Sequence, residues 1–148
     1  MTHAVRLVLV GFALWLGGCA PYQLQGVVKS GPGSTVMVVD RDDDRLDSDG
    51  MAGAVVELTL DPNSLSPKRV GAAVTDDQGR FTITVGETGA GFLEYEAGLL
   101  VRMDGHKTVW QTLPLPSSRQ AVVILMEPGA AGNPRPRDII EETLEMAE

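Results

Sequence analysis

Apolar and polar residues alternate one for one along the middle of this chain, and that period restricts its fold more than any other feature. In AVVELTL (Ala54–Leu60), Ala54, Val56, Leu58 and Leu60 share one side; Val55, Glu57 and Thr59 take the other. In RFTITV (Arg80–Val85), Phe81, Ile83 and Val85 oppose Thr82 and Thr84. In LLVRM (Leu99–Met103), Leu99, Val101 and Met103 oppose Leu100 and Arg102. Successive side chains of a strand point to opposite faces, so a period of two marks a strand with one face buried. Further strands are expected at Leu24–Lys29, Thr35–Val39, Val70–Thr75, Lys107–Thr112 and Ala121–Met126. Turn formers punctuate them at Gly31–Gly33, Asp61–Asn63, Asp76–Gly79 and Pro114–Ser118. Seven or eight short strands of this kind predict an all-β fold, an antiparallel sandwich.

The sandwich must hold together without a disulfide, because the 148 residues include one cysteine, Cys19. What precedes it explains its place. Met1–Arg6 carries one cation, Arg6, and Leu7–Leu16 is free of charge. A membrane span needs roughly 20 apolar residues; this shorter run suits the apolar segment of a secretory signal. Small residues, Gly17 and Gly18, follow as a signal protease requires. The order Leu16-Gly17-Gly18-Cys19 resembles the lipobox of bacterial lipoproteins. The resemblance implies cleavage between Gly18 and Cys19, a diacylglycerol thioether on Cys19, and an acyl chain such as palmitate on the new amino group. Residues 1–18 are then a signal peptide and 19–23 a lipidated tether. The other reading is an ordinary secretory signal, or a short anchor, with an incidental cysteine. Two or more acyl chains anchor a protein stably where one does so marginally. The expected partner is therefore a lipid bilayer, and the expected location membrane-anchored and extracytoplasmic. Ala20, not Asp, follows the cysteine; by analogy with lipoprotein sorting this favours the outer membrane, where the cell has one.

A formal charge of −8 repels phosphate backbones, which excludes nucleic acid as an expected partner. It also disfavours anionic lipid headgroups, so acyl chains rather than charge would hold the chain to a membrane.

The sharpest local signal is the hairpin VTDDQGRF (Val74–Phe81). The Asp76 side chain can bond amides further round the turn, and Gly79 can take a positive φ. This hairpin is one of several motifs in order: GVV at Gly26–Val28, GAVVEL at Gly53–Leu58, TDDQGRF at Thr75–Phe81, DGH at Asp104–His106, and a last strand ending LMEP at Leu125–Pro128. Together they resemble a carboxypeptidase regulatory-like domain over about Leu24 to Pro128. The resemblance implies an Ig-like, transthyretin-like sandwich of about seven strands, generally without catalytic activity. Two features depart from the family pattern. His106 stands where an aromatic follows the glycine, and Ser30–Ala52 is an insertion where the family has a short loop. Residues 24–128 are thus the expected sandwich. Residues 129–137 read as a Pro/Gly linker, and 138–148 as an acidic tail or short helix that is marginal alone.

The insertion holds DRDDDRLDSDG (Asp40–Gly50), with six aspartates between Asp40 and Asp49. Asp40, Asp42, Asp44, Asp47 and Asp49 could ring a calcium ion, which prefers six to eight oxygens. Against an EF-hand, Arg45 stands where the loop's glycine belongs and Met51 where its glutamate belongs. The competing reading is a solvated acidic loop in which Arg41 and Arg45 offset the repulsion. Phe92, Tyr95 and Trp110 are candidate sugar-stacking aromatics, or else packing residues at the rim of the core. His106 has no evident nucleophile to serve, and no His/Cys/carboxylate spacing resembles a zinc site. No catalytic residue is assigned and no cofactor beyond that calcium. The expected function is a non-catalytic, lipid-anchored cell-envelope module for binding, scaffolding or support, meeting an envelope protein or polysaccharide. The alternative is a calcium-dependent or carbohydrate-binding module at the cell surface.

Overall fold

The eight expected strands all form, with ends moved by a few residues. The computed structural model describes residues 21–87, 89–90 and 93–132. In order they are β1 (Tyr22–Ser30), β2 (Thr35–Asp40), β3 (Val55–Leu60), β4 (Lys68–Val74), β5 (Arg80–Val85), β6 (Glu96–Arg102), β7 (Val109–Pro114) and β8 (Gln120–Met126). Two four-stranded sheets result, β2-β8-β1-β5 and β4-β3-β6-β7. The signal peptide, Cys19 and Gly18, Phe92 and the 138–148 tail lie outside the described residues.

The alternation decides what goes inside. Val56, Leu58 and Leu60 of β3 and Leu99 and Val101 of β6 meet Leu24 and Val28 of β1, Phe81, Ile83 and Val85 of β5, and Val122, Ile124 and Met126 of β8 from the other sheet in one core. Burying one such side chain is worth about 1.5–3 kcal/mol, which is how the domain dispenses with a disulfide. Leu100 departs from the pattern. It points to the opposite side from Leu99 and Val101, yet is only 1% exposed. Its strand is internal, and Glu57 and Trp110 stand directly across from it on either side, so neighbours roof it over.

The pairing is antiparallel with one exception. β1 and β8 run parallel, from Gly26 opposite Val122 to Ser30 opposite Met126. Turn signals predict hairpins between neighbours in sequence; β1 and β8 come from opposite ends of the domain and need no tight turn between them.

The inserted segment supplies β2, which adds to the outer edge of β8 from Thr35 opposite Leu125 to Asp40 opposite Gln120. The chain then crosses the outer face of that sheet through one 3-10 turn, Asp44–Leu46. Leu46 settles against Val27, Val39, Ala121 and Val123, a second and smaller apolar cluster.

Both ends of the sandwich are stitched. At one end the β4–β5 turn closes as its residues predict: Asp76 Oδ1 accepts from the Gln78 and Arg80 amides at 2.9 and 2.8 Å, and Gly79 has φ +75°. Thr75, the one buried polar side chain among the described residues, donates to the Met51 carbonyl at 2.6 Å and accepts from the Ala54 amide at 2.9 Å. At the other end lie Tyr22 and the β3–β4, β5–β6 and β7–β8 connections. There the Tyr22 hydroxyl donates to the Pro116 carbonyl at 2.6 Å, the Leu115 amide to Tyr95 and the Asp61 amide to Glu96, both at 2.7 Å.

Candidate functional site

The acidic segment after β2 shows how its crowded carboxylates are tolerated. Asp43 caps the 3-10 turn by accepting from the Arg45 amide at 2.9 Å. The Arg45 guanidinium returns over the same carboxylate, with Nε 2.8 Å from Oδ1 and Nη2 2.7 Å from Oδ2. Those hydrogen bonds from the Arg45 side chain and then its amide hold the Asp43 carboxyl down to about 2. Asp43 is the one aspartate of the segment outside the alternating set, so its role as the cap follows from where the turn starts and not from spacing. Asp47 faces Arg80 of β5 at 3.4 Å, and Lys29 of β1 donates to the Arg45 carbonyl and the Ser48 hydroxyl. Cations from the sheet below thus fasten the segment down.

Asp40, Asp42, Asp44, Asp47 and Asp49 are all exposed. Among the described residues, no three His, Cys, Asp or Glu side chains come together as a group able to hold a metal ion. The 3-10 turn at Asp44–Leu46 carries Leu46 inward onto the sheet. Gly50 ends the segment against the β4–β5 turn. Its amide donates to the Gln78 carbonyl at 3.0 Å, and it packs so closely on the β4–β5 turn that a β-carbon on Gly79 would lie 2.5 Å from its Cα.

Where the segment leaves the sheet it forms the wall of a cleft of about 250 Å³. Val27, Leu46 and Ala121 provide an apolar floor, and Gln25, Thr82, Arg41 and Arg80 bring polar groups to it, with Asp47 on the rim. Arg41 and Arg80 lie far apart in sequence; the β2–β8–β1–β5 order and the return of the inserted segment bring both to one depression. Among the described residues, no histidine, serine or cysteine lines it. Two guanidiniums beside one carboxylate, with an amide and a hydroxyl, suit recognition of an oxygen-rich ligand carrying negative charge.

The remaining sequence candidates are dispersed. Tyr95 is half-buried and packs against the main core. Trp110 is half-buried on the outer face of the other sheet. Its ring and Pro62 cover Gly98 so closely that a β-carbon there would come within 2.6 Å of the indole. His106 sits at the far end of the molecule, its Nδ1 3.2 Å from the Asp104 carbonyl oxygen and its Nε2 3.4 Å from the Ser30 hydroxyl. A carbonyl only accepts, so the first contact assigns the proton to Nδ1.

Gln111 escaped the sequence reading. Its Oε1 accepts from the Val36 amide at 2.8 Å and its Nε2 donates to the Val36 carbonyl at 3.0 Å. A side-chain amide thereby closes the outer edge of β2 from the opposite sheet. The available signal was a glutamine at an inward position of β7, between buried Val109 and Leu113. No protein-family model matches the chain, and no curated protein matches it.

Proposed function

We propose that this chain is a lipid-anchored, extracytoplasmic β-sandwich, a non-catalytic module of the cell envelope that binds or scaffolds. The observation that carries the reading is where the sandwich starts. β1 begins at Tyr22, three residues past Cys19, and runs between β8 and β5 inside its sheet. A cysteine so placed, behind an apolar run and two glycines, has the chemistry and spacing of an acylated first residue with a folded domain directly behind it. No helix among the described residues is long and apolar enough to cross a membrane. The motif order that resembles a carboxypeptidase regulatory-like domain supports the same reading, with β2 and the acidic segment as an elaboration on that pattern.

Mass spectrometry of the N-terminal peptide of protein purified from its native envelope tests the anchor. The expected peptide starts at Cys19 and carries acyl mass on it. A peptide that begins upstream, or a free thiol at Cys19, overturns the reading.

The cleft favours one second reading, an acidic polysaccharide of the envelope as ligand. Arg41 and Arg80 would pair with its carboxylates while Gln25 and Thr82 meet hydroxyls. Calorimetric titration with uronic-acid oligosaccharides should give binding that Arg41→Ala and Arg80→Ala each weaken. Equal affinity in both variants and the parent chain removes this ligand.

A further inference from the structure

The two ends of the sandwich differ in a way that the alternation does not require. Among the exposed large apolar side chains, Val55 and Val74 pair across β3 and β4 at the other end, on strands, whereas two lie on connections: Leu65, 106% exposed, and Leu93, 59% exposed. Leu65 belongs to the β3–β4 connection and Leu93 to the β5–β6 connection. Both connections open at the same end, because Leu60 pairs with Lys68 and with Ala97 there, and Tyr22 pairs with Val85. That is also the end at which β1 begins.

We infer that this end faces the bilayer, with Leu65 and Leu93 seated in its headgroup region and the His106 end turned away. The inference rests on acylation of Cys19. From Cys19 to Tyr22 an extended chain reaches about 10 Å at most, little more than the thickness of one headgroup layer. β1 spans nine residues, about 30 Å, so the Ser30 end stands well clear of the surface. Tyr22 cannot swing free, since it pairs with Val85 of β5 and its hydroxyl is tied to Pro116. The tether therefore sets the orientation as well as the attachment. Two leucines left in water on the tethered end suit an amphipathic surface that carries apolar area into the interface. Asp40, Asp61, Glu87, Glu94 and Glu96 at this end outnumber Arg41, Lys68 and Arg119, so the contact suits zwitterionic lipid and not anionic lipid.

The test uses full-length lipidated protein in phosphatidylcholine vesicles. The native cysteine is blocked by its acyl chain, so a new cysteine is a unique label site. Leu65→Cys, Leu93→Cys and, at the far end, Asp104→Cys are each labelled with a fluorophore and exposed to lipid-borne nitroxide quenchers. Quenching severalfold stronger at positions 65 and 93 than at 104 is expected. Protein that floats with the vesicles but is quenched equally at all three positions, or at none, overturns the orientation and leaves the anchor standing. Protein that does not float overturns both.

Discussion

The phenol of Tyr22 is tucked under the β7–β8 connection, and its burial pushes the hydroxyl up to about 12, with Arg41 pulling weakly the other way. An unfolded tyrosine ionises near 10. Below pH 10 both states keep the proton and the site adds no pH dependence. Between pH 10 and 12 the unfolded chain has lost it and the folded chain has not, so stability falls as pH rises. Tyr22→Phe should remove that part of the alkaline slope. It should also cost about 1–2 kcal/mol at pH 7, because the Pro116 carbonyl loses its donor. Urea unfolding at pH 7 and across pH 10–12 reads both; an unchanged alkaline slope would show that the phenol is not the responsible group. Glycine turns allow a paired experiment at the same scale. Gly33 and Gly79 both have positive φ, +89° and +75°. A β-carbon on Gly33 meets nothing within 4 Å, whereas one on Gly79 meets Gly50 at 2.5 Å. Gly33→Ala should cost about 1–2 kcal/mol for its backbone conformation alone. Gly79→Ala should cost that and about 1–3 kcal/mol more for the forced contact. The positive φ at Gly79 was legible in Asp76-Asp77-Gln78-Gly79. The contact with Gly50 was not, because it joins two turns that only the folded chain brings together.

Strands were the easiest elements to read, and the reasons show where such reading stops. In β3 and β5 one face is buried and the other wet, so Val56, Leu58, Phe81 and Ile83 declare themselves by period. In β6 both faces are covered around Leu100, and a pattern defined by contrast between faces loses its meaning there. The parallel β1–β8 pair left no local mark either, since nothing in Gly26–Ser30 depends on the direction of its neighbour. Edge protection was equally hidden. β2 ends its sheet, and an open edge invites pairing with another chain. Gln111 covers it at Val36 with one donor and one acceptor. Gln111→Leu keeps the bulk and removes both bonds. Stability should drop by about 1–3 kcal/mol, and native-state hydrogen exchange at the Val36 amide should quicken more than at Ile124 in the adjoining strand. Equal acceleration at both amides would mean that the glutamine supports the whole sandwich and not the edge of β2.

At the scale of the molecule the sandwich carries two apolar clusters of unequal weight. One lies between the sheets and includes both; the other lies outside the β2-β8-β1-β5 sheet and depends on Leu46. The sequence showed the aspartates of the segment over that second cluster and hid its attachment. Arg41 and Arg80 meet only through strand order, and Lys29 reaches Ser48 only because the chain doubles back over β1. The two clusters should therefore fail separately. Removing a buried leucine from the main core, as in Leu58→Ala, should cost about 2–5 kcal/mol and lower the melting temperature of the whole domain. Leu46→Ala removes a half-buried side chain whose neighbours Val27 and Ala121 stay in place on the sheet. What it releases is the segment, and with it the wall of the cleft, through a local opening that leaves both sheets paired. Trypsin reports on that opening, since Arg41 and Arg45 both lie in the segment. Under native conditions Leu46→Ala should be cut at these two sites several times faster than the parent chain, with little change in melting temperature. The Asp43–Arg45 and Asp47–Arg80 pairs are exposed, and exposed pairs hold little on their own, so they should not rescue the segment. Cleavage no faster than in the parent chain would show that the ion pairs and Lys29 hold it without its apolar contact.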